Sequence, residues 1–80
     1  MGMLRIMSRR GDDRITWDPK KADANDPEAQ AAVREAERIF QEARMRGATA
    51  FRVSPGPTER IDKFDRTAEQ IVIVPRVVGG

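Results

Sequence analysis

The chain contains neither cysteine nor histidine. Those two absences together remove disulfides, thiolate chemistry, zinc or iron–sulfur ligation through the usual side chains, and imidazole acid–base catalysis. A disulfide-stapled secreted module is excluded on the same ground. Long apolar runs are missing too. The longest is four residues, 71–74, far short of a bilayer span. The segment Met1-Gly2-Met3-Leu4-Arg5 lacks the apolar stretch of a signal peptide, so a cytoplasmic protein without a membrane role is expected. Aromatic side chains are few: Trp17 and three phenylalanines.

What is present is globular in character. The 80 residues are 39% apolar and 35% charged, with the apolar ones gathered into periodic segments. That length supports one hydrophobic core and leaves little room for a deep catalytic cleft. The formal net charge is +2, made of twelve Arg and three Lys against thirteen interspersed acids, the pattern of a solvated surface.

Residues 3–7 alternate, with Leu4 and Ile6 on one face and Arg5 on the other, which predicts a first strand. Residues 9–13 are polar and include Gly11, as a turn requires, and residues 14–17 form a second strand hairpinned to the first. Residues 18–25 read as a polar loop. Asp26 followed by Pro27 is a helix start: the carboxylate accepts an orphan N–H, and proline has no donor to waste at the first helical position. Ala29, Ala32, Val33, Ala36, Phe40 and Ala43 then recur at spacings of three and four, widened by Ile39, and predict a helix over 27–46. Arg44 and Arg46 suit its C-terminal end and Gly47 the left-handed position after it.

Residues 48–53 predict a third strand, with Thr49, Phe51 and Val53 sharing a face, and 60–64 a short edge strand carrying Ile61. Ser54-Pro55-Gly56-Pro57 is a turn between them. The β-branched run 71–74 predicts a central strand with apolar cover, ended by Pro75. Trp17, Phe40, Phe51 and Phe64 are the expected aromatic core. The fold class is therefore α+β, a small mixed sheet with one helix packed across it, the last strand lying beside the first.

Other charged groups carry weak signals. Arg9, Arg10 and Arg14 form the best basic cluster, but Asp12 and Asp13 sit within it and no aromatic platform accompanies it, so nucleic acid is disfavoured as a partner. Glu35, Glu37 and Glu42 lie three or four residues from Arg34, Arg38 and Arg46, which favours helix-surface pairing over acid–base chemistry. Gly11 and Gly56 belong to no phosphate-binding fingerprint.

The ending Glu69-Gln70-Ile71-Val72-Ile73-Val74-Pro75-Arg76-Val77-Val78-Gly79-Gly80, together with the element order, resembles the β-grasp, ubiquitin-like proteins. It is most similar to the sulfur carriers of molybdopterin and thiamine biosynthesis, whose molybdopterin-type members commonly place a second proline where this chain has Arg76. The resemblance implies a single β-grasp domain over 1–75 and a flexible tail over 76–80. It implies a carrier and not an enzyme, with no catalytic residue, metal or bound cofactor of its own. An E1-like adenylating enzyme would spend ATP with Mg²⁺ on the carboxyl group of Gly80, next to Gly79. A sulfur carrier would then become a thiocarboxylate and serve a sulfur-accepting synthase subunit. A modifier would be passed to lysines of a conjugation target, and a non-covalent interaction domain would keep an inert tail. In each active case Pro75, Arg76, Val77 and Val78 are the expected partner-binding residues: glycine fits a narrow channel and proline stiffens the exit.

Overall fold

A computed structural model describes residues 1–8 and 11–76. Its elements run β1 (Gly2–Ser8), β2 (Gly11–Trp17), α1 (Pro19–Asp23), α2 (Pro27–Met45), β3 (Thr49–Ser54), β4 (Glu59–Ile61) and β5 (Gln70–Val74). The five strands form one mixed sheet in the order β2-β1-β5-β3-β4. β5 is central: it runs parallel to β1, pairing Leu4 with Ile71 and Ile6 with Ile73, and antiparallel to β3, pairing Ala50 with Ile73. The β-branched run 71–74 thus takes the central position its composition calls for. α2 crosses the sheet against β2 and β3. The architecture is α+β and consistent with a β-grasp fold.

Local chemistry explains most boundaries. The Asp26 carboxylate accepts from the Ala29 N–H at 3.0 Å, and Pro27 follows at the first helical position. Gly47 ends α2 with φ of +89°, a conformation that penalises any residue with a Cβ. Between them α2 buries Ala29, Ala36 and Phe40, with Ala32, Val33, Ile39 and Ala43 half-buried beside them. The opposite side of the helix is solvated, and Arg38 there bridges Glu35 and Glu42. Exposed, solvent-screened pairs of this kind contribute little to stability.

The core joins Leu4, Trp17, Phe40, Ala50, Ile71 and Ile73, each no more than 2% exposed. Phe64 packs against the two buried rings, 5.4 Å from Trp17 and 5.9 Å from Phe40. The indole N–H of Trp17 donates to the Arg66 carbonyl at 2.9 Å, so burying it leaves no unpaired donor. That bond ties the hairpin to the long connection between β4 and β5.

Several expectations need correction. Residues 18–25 are not a loop throughout: Pro19–Asp23 is a five-residue helix capped by Asp18, whose carboxylate accepts from the Lys20 N–H at 3.0 Å. The second strand begins earlier than expected: Gly11, Asp12 and Asp13 already belong to β2, and Ser8 registers with Gly11. The edge strand is Glu59–Ile61, ending before Phe64. Phe51 is half-buried on the sheet face away from α2, while Ala50 takes the core position. Val53 falls at an irregularity between Arg52 and Ser54 and does not continue the pairing.

Candidate functional site

The end of β5 fixes where the predicted tail begins. Because β5 is parallel to β1 and antiparallel to β3, Val74 lies opposite Thr49 and near the close of β1. The C-terminus of α2 reaches the same end of the sheet through the two-residue link before Ala48. Pro75 and Arg76 follow Val74 and are both exposed. Val77, Val78, Gly79 and Gly80, the other four expected site residues, lie outside the described residues.

Arg76 is laid against the helix end. A Cβ placed on Gly47 would sit 3.2 Å from Cδ of Arg76 and 3.8 Å from its Cβ, so the aliphatic stem covers the glycine backbone. The close approach and the positive φ explain glycine here twice over. Beside this contact lies a hollow of about 390 Å³. Its floor is the registered pair Ile6 and Ile73, its walls are Ala43 and Ala48, and its rim carries Arg46 and Arg76. In the sequence Arg46 shows only as a helix-end charge, whereas Arg76 stands out by following the last strand. The hollow itself could not be seen there, because it arises from small side chains on different elements meeting at one end of the sheet.

Charges around the hollow are unevenly matched. Arg44, on the last turn of α2, is engaged: it donates to the Ala48 carbonyl at 3.2 Å and pairs with Asp62 at 2.8 Å. Glu42 belongs to Arg38. Arg46 and Arg76 make no ion pair among the described residues.

A second surface lies on the sheet face away from the helices. Across it, one row of registered neighbours reads Arg14, Arg5, Val72, Phe51 and Arg60. Val72 and Phe51 are half-buried there. Of the basic cluster seen in the sequence, Arg14 belongs to this row and is exposed, while Arg9 and Arg10 lie outside the described residues.

Two carboxylates are held below their ordinary range, each by a neighbouring side chain. Glu35 is held below the usual carboxylate range by its hydrogen bond from Arg38, which is itself raised by the same contact, on an exposed helix face. Asp65 is held low chiefly by the hydroxyl of Thr67, with the Thr67 N–H and Arg52 adding to the effect against partial burial. Both are local surface pairings. Among the described residues no cluster of three Asp or Glu side chains could hold a metal ion, and no helix is long and apolar enough to cross a membrane. No protein-family model matches the chain, nor does any curated protein or solved structure.

Proposed function

We propose that this chain is a ubiquitin-like sulfur carrier of the cytoplasm, adenylated and then thiocarboxylated at Gly80 by an ATP-dependent activating enzyme. The supporting observation is the central, parallel placement of β5 beside β1, with Pro75 and Arg76 exposed immediately after it. A strand fixed on both sides is a rigid base, so the direction in which the following residues leave the domain is set by the sheet. Arg76 is further held by its packing on Gly47.

In this reading a carboxylate oxygen of Gly80 attacks the α-phosphorus of ATP in the partner's site, releasing pyrophosphate and forming an acyl-adenylate. A sulfide equivalent delivered by the partner then attacks the carbonyl carbon, and AMP leaves. The carrier contributes a terminus narrow enough to enter the partner's channel. Gly79 and Gly80 have no Cβ and take backbone angles other residues resist. Val77 and Val78 are apolar contacts for that channel, and Pro75 lowers the ordering cost by restricting the free chain.

The test is ATP–pyrophosphate exchange and intact mass after incubation with a cognate adenylating enzyme, for the full chain and for a chain ending at Val78. The full chain is expected to support exchange and to gain the mass of sulfur replacing oxygen. The truncation should remain folded and inert, since its carboxylate stops about 7 Å short at full extension behind a β-branched side chain. Equal exchange by both folded proteins would overturn the reading. A covalent adduct on another protein's lysine would reassign the chain as a modifier.

A second reading is favoured by the uncovered sheet face. Phe51 and Val72, flanked by arginines, are the composition of a protein contact surface, which a non-covalent interaction domain with an inert tail would also display.

A further inference from the structure

Three features outside the terminal chemistry carry ligand-binding character: the uncovered sheet face, a polar hollow between Phe40 and Phe64, and the apolar hollow beside Arg76. The last combines a concave apolar floor with two cations at its rim that the described residues leave without an acid. Its floor, Ile6 and Ile73, is contributed by the two central strands, and Ile73 is 1% exposed. Ala43 and Ala48 leave the space open where larger side chains would have closed it. At about 390 Å³ it is within the range of sites that accept a small group.

The rim decides the chemistry of the occupant. Arg44 shows what the fold does with a cation it uses internally: both terminal nitrogens are satisfied, by the Ala48 carbonyl and by Asp62. Arg46 and Arg76 stand at the same end of the sheet and receive neither from any described residue. The negative end of α2 gives Arg46 a reason to be basic, but Arg76 belongs to no helix and is positioned by Gly47 instead. Two guanidiniums at one rim are mutually repulsive until an anion lies between them.

We propose that this hollow is a docking site for a partner-protein segment in which an apolar side chain stands next to a carboxylate. The apolar group seats on Ile6 and Ile73, and the carboxylate is held by Arg46 and Arg76. This inference does not require Gly80 to react, and so it stands or falls separately from the carrier reading.

The probe is a capped hexapeptide with a Leu-Phe pair flanked on both sides by Asp and Glu, titrated into the ¹⁵N-labelled full chain and followed by amide chemical shifts. Shifts are expected at Ile6, Ala43, Ala48, Ile73 and Arg76. They should weaken when salt is raised, because the contacts are partly exposed. Arg46→Glu with Arg76→Glu should weaken binding by about tenfold or more. Arg46→Gln with Arg76→Gln gives the same direction with less disturbance should the reversal fail to fold. Ala43→Leu should also weaken binding by filling the hollow while keeping both charges. The same peptide with lysine in place of its acids should bind no more than weakly. Absence of shifts at millimolar peptide, equal response to the lysine peptide, or shifts mapping instead to Phe51 and Val72 would each overturn the proposal.

Discussion

Gly2 and Trp17 are direct partners across the first hairpin, and a Cβ on residue 2 would overlap the indole ring, lying 2.5 Å from Cζ2 and closer still to Cε2 and Nε1. The ring has nowhere to retreat, being 2% exposed, packed on Phe64 and hydrogen-bonded to the Arg66 carbonyl. Gly2→Ala is therefore expected to destabilise the fold by roughly 1–3 kcal/mol, the range for overpacking a filled core. Denaturant unfolding followed by Trp17 fluorescence checks it. A change within error of zero would mean that the ring is not held as described.

Phe40 and Phe51 should separate clearly on truncation. Phe40 is 1% exposed at the centre of the core, so Phe40→Ala is expected to cost roughly 3–5 kcal/mol, a large part of the stability of any small domain. Phe51 faces away from α2 and is half-buried, so Phe51→Ala should cost under about 2 kcal/mol. Chemical melts of the two variants, run side by side, test the assignment of faces. Equal losses would contradict it.

Gly47 separates two penalties. Gly47→Ala incurs the left-handed backbone strain, roughly 1–2 kcal/mol, and also crowds Cδ of Arg76. In an Arg76→Ala background only the first term remains, so the substitution at 47 is expected to be milder there. A double-mutant cycle by thermal unfolding measures the difference. No coupling between the two positions would show that Arg76 does not rest on the glycine.

Acid sensitivity has an identifiable contributor in Asp65. Its folded-state pKa lies below the unfolded value, first because of the Thr67 hydroxyl. A depressed carboxylate contributes stability that is fully present above the unfolded pKa, about 3.9, and is lost as pH falls through the folded one. Asp65→Asn should therefore flatten the fall in stability below about pH 4 while lowering stability at neutral pH. Unfolding free energies across pH 2–7 check both halves. An unchanged acid limb would remove Asp65 from the account.

The sequence revealed α2 well because three independent signals agree: the Asp26-Pro27 cap, the apolar stripe and the Gly47 stop. The same Asp-Pro signal stands at Asp18-Pro19, where it opens α1, but five residues are too few to show a period. The face of β3 was misread for a related reason. The β-branched and aromatic side chains at 49, 51 and 53 look like a core face by alternation. The helix instead requires a small residue beneath it, and Ala50 joins the cluster that Phe40 fills. As for the candidate site, Pro75 and Arg76 were legible because they follow a strand of unmistakable composition. Arg46, Ala43 and Ala48 were not, since their meeting depends on how α2 ends against the sheet.

The parallel pairing of β1 with β5 also governs when this protein can exist during its own synthesis. The first hairpin and α2 can form early from neighbouring residues, but β1 has no inner partner until Gln70–Val74 has emerged. Until then the inner edges of β1 and β3 both present unpaired backbone groups, an open invitation to wrong pairings. Folding is thus held back until residues 70–74 have been made, and a ribosome stalled before residue 70 would carry a chain with two exposed edges and no sheet centre.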